Sequence, residues 1–219
     1  MAAIVKTPST GKIPQEANNN DGLLLSPEAL LSGDDRTMFS PTLIGQVQEQ
    51  FNLSLPNDPD GGLTVRPLKV GDYDRGYLPL LSQLTSVGSI SKAQFVERFN
   101  VMANTRPQAY YVVVIEEKKT EQVVGSATLV LEWKFIHEAG ARGRVEDVVV
   151  SDEMRGRQLG KVLNQHLVAL ATHFGVYKLS LECKDKLIGF YEQFGFVKDA
   201  GNNFMVKRFD KPEDQLAKL

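Results

Sequence analysis

Six consecutive residues, Arg155, Gly156, Arg157, Gln158, Leu159 and Gly160, stand between an apolar, β-branched run at 145–150 and a long amphipathic pattern at 161–174. A strand, a glycine-containing turn and a helix opening, in that order, make a cradle for phosphate. The N–H groups of a first helical turn have no partner within the helix, and the helix dipole adds partial positive charge there. Arg155 and Arg157 add full charges. The pattern predicts that the chain grips a phosphorylated ligand at this one helix N-terminus. Carboxylates precede it. Glu146 and Asp147 are neighbours on the predicted strand, so their side chains are expected on opposite faces of it.

Other reactive side chains are less telling. Tyr191 has a hydroxyl that stays protonated at neutral pH, as a general acid must, but taken alone it reads as a packed aromatic. Glu182, at the end of another predicted strand, is a candidate base and equally a solvated strand-end charge. His166 and His173 lie seven apart on one helix face. A two-histidine metal site wants i, i+4 spacing and a carboxylate partner, so no metal is implied. Cys183 sits on a predicted buried strand and reads as an inert core thiol.

The whole chain narrows the class. It has 219 residues, 42% hydrophobic and 24% charged, which suits one globular domain with extra sequence. Lys+Arg 25 against Asp+Glu 27 gives a net charge of −2, without the basic excess of a nucleic-acid binder. One cysteine excludes an internal disulfide and fits a reducing compartment. No signal-peptide pattern and no apolar run of roughly 20 residues is present, so a soluble, cytosolic protein is expected.

Residues 1–62 hold Pro14, three asparagines at 18–20, Ser26-Pro27, and a proline- and glycine-rich stretch at 56–62. Such a composition predicts a largely flexible extension. Within it, residues 23–31 are less polar, and Phe39, Leu43, Ile44, Val47 and Phe51 have helical spacing. A transient helix in a mobile tail is the favoured expectation, with docking on the domain, a partner or a membrane surface as the alternative. The folded domain is expected over 63–210, with a short tail at 211–219. Strands are predicted at 63–67, 110–115, 123–133, 145–150, 177–183, 196–198 and 203–209. Helices are predicted at 70–85, at 91–103 with Ser91 as cap, after the glycine turn, and at 186–194. Residues 140–143 read as a loop, with Arg142 and Arg144 as loop charge. There is no internal repeat.

This order, with the glycine turn after the fourth strand, resembles the GNAT acetyltransferase superfamily, whose pattern Arg/Gln-x-x-Gly-x-Gly/Ala matches at Arg155 and Gly160 but has Gln158 in place of the middle glycine. A backbone cradle needs open N–H groups more than a fixed side chain, so the departure matters little. Further runs narrow the resemblance to the eukaryotic glucosamine 6-phosphate N-acetyltransferase branch. They are Leu84-Thr85-Ser86-Val87-Gly88, Lys134-Phe135-Ile136-His137-Glu138, residues 143–150 and Phe190-Tyr191-Glu192-Gln193-Phe194-Gly195-Phe196. Met38-Phe39-Ser40-Pro41 looks like the N-terminal extension of animal members. The likeness covers about 63–209.

The resemblance implies an α/β, GNAT acyltransferase fold with a central mixed, mostly antiparallel sheet flanked by helices. It implies acetyl transfer from acetyl-CoA to the amine of glucosamine 6-phosphate, by direct attack in a ternary complex, for UDP-N-acetylglucosamine synthesis. Val148, Val149 and Val150 would hold the pantetheine arm by backbone, with the Val148 N–H polarising the thioester. Arg155, Gly156, Arg157, Gln158, Leu159, Gly160 and Lys161 would hold the pyrophosphate. Tyr191, with Glu192 and Gln193 beside it, would lie at the coenzyme sulfur and protonate the thiolate. Glu146 and Asp147 would contact the amino sugar, and Glu146 or Glu182 would serve as base. Thr85, Lys134, Phe135, Ile136, His137, Tyr177, Lys178 and Arg208 would complete the sugar-phosphate site. The branch forms homodimers in which C-terminal strands exchange and complete the site, and Phe194, Phe196, Phe204 and Phe209 would suit such an interface. A GNAT enzyme acting on a protein amine and a non-catalytic acyl-CoA-binding module stay open as alternatives.

Overall fold

A computed structural model describes residues 33–208 apart from 56, 57 and 59. The apolar piece at 23–31, Phe209 and the tail at 211–219 lie outside the described residues. The chain forms two compact units, one through Leu181 and one from Glu182 onward.

The first unit is built on a five-stranded sheet, β1 (Leu63–Pro67), β2 (Tyr110–Glu117), β3 (Gln122–Trp133), β4 (Ala141–Val150) and β5 (Lys178–Ser180), side by side in that order. The first three pairings are antiparallel and β4–β5 is parallel. The parallel pair needs a crossover, and α5 (Leu159–His173) supplies it. Tyr111 to Ile115 are buried without a break, the pattern of a strand covered on both faces. The helix α5 buries Leu159, Val162, Leu163, Leu167 and Leu170. The helix α3 (Lys92–Ala103) opens on a capping box. Ser91 Oγ accepts from the Gln94 N–H at 3.3 Å, and the Ser91 N–H donates back to Gln94 Oε1 at 2.9 Å.

Three local expectations are corrected. The helix expected over 70–85 is a 3₁₀ turn, Val70–Tyr73, followed by a short α2 (Tyr77–Ser82). Asp72 explains the break. Its buried carboxylate receives the Arg66 guanidinium at 2.8 Å through both oxygens and the Lys69 N–H at 2.7 Å, which ties the turn to β1. Residues 140–143 are not a loop, because β4 already begins at Ala141. The chain reverses earlier, through the single turn α4 (Ile136–Ala139), in which His137, Glu138 and Ala139 all have positive φ. The strand expected over 177–183 keeps only Lys178–Ser180.

Over its described part the N-terminal segment meets the sheet and α5. Thr37 bridges to Lys69 and the Met38 N–H donates to Leu68 O at 2.8 Å, extending the sheet edge. The helix α1 (Pro41–Phe51) follows, with Ile44 and Val47 buried, and it packs on α5 and β1. Met38 and Phe39 are buried too, Phe39 against the Tyr111 ring at 5.1 Å between centroids. Four such side chains each contribute about 1.5–3 kcal/mol on burial, enough to oppose the ordering of a short segment. His166 of α5 lies beneath α1. Its Nδ1–H donates to Val162 O at 2.8 Å, so its Nε2 accepts from the Gln48 amide at 3.1 Å. Burial pushes the His166 pKa down.

The second unit opens on the 3₁₀ turn Asp185–Leu187 and the short helix α6 (Ile188–Glu192) in place of the longer helix expected. Tyr191 is buried, with the Phe190 and Phe196 rings edge-on at 5.0 and 6.0 Å. Cys183 is exposed rather than a core thiol. The strands expected at 196–198 and 203–209 do not form among the described residues, and Val197, Phe204, Met205 and Val206 are exposed. A strand requires partners for its N–H and C=O groups, and two short segments without a third strand are marginal in water.

Candidate active site

The centre of the site is an irregularity in β4. Ser126 faces Val149 and Thr128 faces Glu146, so Asp147 and Val148 together oppose the single Ala127. This is a β-bulge, and Asp147 takes a positive φ of 51° to make it. Strict alternation would place Asp147 on the face of Val145 and Val149, both buried. Asp147 is exposed all the same. In the register Glu146 stands opposite Thr128, whereas Asp147 shares Ala127 with Val148. Surrounding protein, and secondarily the Glu146 charge, raises the Asp147 pKa.

Beyond the bulge, β4 has an open edge. Its pairing with β5 stops at Arg144 and Ser180, so among the described residues no strand pairs with residues 145–150 on that side. Such an edge offers N–H and C=O groups to an extended, amide-bearing ligand. The same strand runs into a 3₁₀ turn, Asp152–Met154, and then into the glycine turn. Gly156 has φ 83° and Gln158 has φ 60°, and no side chain caps α5. Left-handed residues before an uncapped helix start point successive N–H groups into one concavity, a ready anion site. Arg155 is ion-paired with Asp152, and Arg157 reaches Asp58 at 3.6 Å. The open edge and the uncapped helix start suit the pantetheine and pyrophosphate parts of an acyl-coenzyme.

At the other end of β4 the structure brings together several residues expected to meet a sugar phosphate. Lys178 stands opposite Arg142 in the β4–β5 register. The left-handed turn places the His137 ring flat on Tyr177, 4.0 Å between centroids and 28° between planes. The Lys134 N–H donates to Gly140 O at 2.9 Å and closes the turn. Phe135 and Ile136 project into solvent at its tip. Thr85 follows α2 and is exposed. Glu182, Tyr191, Glu192, Gln193 and Arg208 belong to the second unit. There burial, with a smaller effect of Cys183, raises the Tyr191 pKa and keeps its proton in place at neutral pH.

Sequence reasoning missed two residues here. Arg144 is on β4, not in a loop, and its Nε donates to Glu146 at 2.8 Å and lies 4.0 Å from Glu132. Glu132 in turn receives Lys134 at 2.6 Å, and that hydrogen bond, above other causes, lowers the Glu132 pKa. The signal was available: 132 and 134, like 144 and 146, are two apart on extended chain and so share a face.

Residues 82–196 match the acetyltransferase (GNAT) family. The chain is 49% identical over 160 residues to a probable glucosamine 6-phosphate N-acetyltransferase of Drosophila melanogaster, covering 73% of this chain and 72% of that one. It is 40% identical over 148 residues to the glucosamine 6-phosphate N-acetyltransferase of Candida albicans, covering 68% of this chain and 97% of the other. The structure is similar to that of glucosamine-6-phosphate N-acetyltransferase from Arabidopsis thaliana, with a TM-score of 0.64, 32% identity, and coverage of 68% of this chain and 99% of that chain. These matches, to a chain whose bulged, open-edged fourth strand leads into an uncapped helix start, show that it belongs to the GNAT acetyltransferase family.

Proposed function

We propose that this enzyme transfers the acetyl group of acetyl-CoA to the amine of glucosamine 6-phosphate, giving N-acetylglucosamine 6-phosphate and CoA. The observation that carries the reading is the open edge of β4 between the bulge and the uncapped start of α5. The pantetheine arm lies along residues 148–150, and the pyrophosphate is held by N–H groups of residues 156–161 with Arg155 and Arg157. Lys134, His137, Lys178 and Arg208 receive the sugar phosphate, with Thr85, Phe135, Ile136 and Tyr177 around it.

The amine nitrogen attacks the thioester carbon, the carbon–sulfur bond breaks, and the departing sulfur takes a proton while the nitrogen loses one. The Val148 N–H donates to the carbonyl oxygen as negative charge develops there. Tyr191 supplies the sulfur's proton. Glu146 accepts from the amine, with Asp147 beside it, and Glu182 is the other candidate base. The chain works as a cytoplasmic homodimer, and the exposed Val197, Phe204, Met205 and Val206 support a partner along the C-terminal segment.

The decisive assay is thiol release with glucosamine 6-phosphate, glucosamine and a lysine peptide side by side. The phosphorylated sugar should be preferred, and Arg208→Ala should raise its KM and shrink that preference, with less effect on acetyl-CoA. Turnover of the peptide with no preference for the phosphorylated sugar would defeat the reading.

A further inference from the structure

Lys134, Glu132, Arg144 and Glu146 form an alternating chain of charge across β3 and β4. Its links are 2.6 Å from Lys134 to Glu132, 4.0 Å from Glu132 to Arg144, and 2.8 Å from Arg144 to Glu146. All four side chains are half-buried. They share one side of the two strands, whose register sets Glu132 opposite Arg142, Val130 opposite Arg144 and Thr128 opposite Glu146. The buried Leu131 and Val145 alternate with them toward the core. One end of the chain is the lysine assigned to the sugar phosphate, and the other is the carboxylate assigned to the amine.

We propose that Glu132 and Arg144 are positioning residues for the acetyl acceptor, which hold the phosphate-binding lysine and the amine-binding carboxylate at a fixed separation. The inference rests on the proposed assignment of Lys134 to the phosphate and Glu146 to the amine of the acceptor. Each of these long side chains would otherwise sample many rotamers, and freezing them is costly. A cross-strand ladder of this kind contributes little to stability, because half-exposed pairs are largely screened. Its value lies in preorganisation, since an amine displaced by a fraction of an ångström from the thioester loses much of the advantage of proximity. The chain spans an anion-binding end and an amine-binding end, so it measures the distance between the two groups of the acceptor. That makes it a determinant of where on the sugar the phosphate must be.

The test uses the full chain carrying Glu132→Gln, Arg144→Gln or Arg144→Lys, with Lys134→Gln and Glu146→Gln as variants of the two ends. Steady-state constants are measured for glucosamine 6-phosphate, glucosamine 1-phosphate and acetyl-CoA, and thermal melts confirm folding. Glu132→Gln and Arg144→Gln should each raise the KM for glucosamine 6-phosphate about five- to tenfold and compress the preference for the 6-phosphate over the 1-phosphate. The KM for acetyl-CoA should stay within about twofold, and Arg144→Lys should restore most of the preference. In the Glu146→Gln background, Arg144→Gln should add less than about twofold.

If Lys134→Gln and Glu146→Gln impair use of the sugar while the Glu132 and Arg144 variants keep both KM and preference, the positioning role is overturned and the assignment of the ends survives. If neither end variant affects the sugar, the assignment itself fails and the inference falls with it. A melting-temperature loss with unchanged specificity would likewise overturn it, leaving the chain as a stabilising ladder.

Discussion

Replacing Ile44 by alanine tests whether α1 belongs to the folded enzyme. Ile44 is 3% exposed on the face of α1 that packs toward α5 and β1. Truncating a buried isoleucine removes its transfer free energy and leaves a cavity, a loss of about 2–5 kcal/mol. For a chain of this size each kcal/mol lowers the melting temperature by about 2–4 °C, so the expected fall is about 4–20 °C. Glu49, on the same helix but exposed, is the control, and Glu49→Ala should change stability by no more than about 0.5 kcal/mol. The assay is a thermal melt of the full chain followed by far-ultraviolet circular dichroism. If Ile44→Ala and Glu49→Ala melt within about 2 °C of each other, α1 is not docked in solution, and the burial argument for residues 38–47 is refuted.

Three further outcomes are expected. Tyr191→Phe keeps the ring and removes the proton donor, so kcat should fall about ten- to a hundredfold while the KM for the sugar phosphate barely moves, read from initial rates. Gln158 holds φ 60°, which costs an ordinary residue about 1 kcal/mol, so Gln158→Gly should keep acetyl-CoA affinity within a few-fold and leave the melting temperature unchanged or slightly raised; a large affinity loss by calorimetry would mean that the side chain binds the coenzyme. Because burial lowers the His166 pKa, its neutral form stabilises the fold above the unfolded value near 6.5, and that contribution is lost as pH falls below it. Denaturant titrations from pH 7 to pH 5 should show this loss, at most about 1.4 kcal/mol per pH unit, and His166→Gln should flatten it.

Much of the fold was legible because its signals are local. The β-branched run before the glycine turn, the apolar stripe of α5 and the cap at Ser91 each report their own element, and all three appear where expected. What was not legible depends on partners. The stripe of Phe39, Ile44 and Val47 announces a helix face without saying what covers it, so the docking of α1 could not be read from spacing. The bulge at Asp147 is hidden for a related reason. A register shift belongs to a pair of strands, and Ala127 contributes to it as much as Asp147. The final aromatic segment carries strand-like residues, yet it forms no strand among the described residues.

The contact between Gln48 and His166 joins residues 118 apart in sequence. During synthesis, α1 leaves the ribosome long before the surface it covers exists. At about 5–20 residues per second the interval between the two is about 6–24 s. Through that time Ile44 and Val47, the buried residues of the helix that packs on α5, lack that part of their native surroundings. Closing so long a loop adds little free energy compared with a shorter one, since the cost rises only with the logarithm of length. The delay is therefore one of order rather than of stability. A helix made early waits for a partner made late, and a chain interrupted before α5 is complete leaves that helix face open to other apolar surfaces.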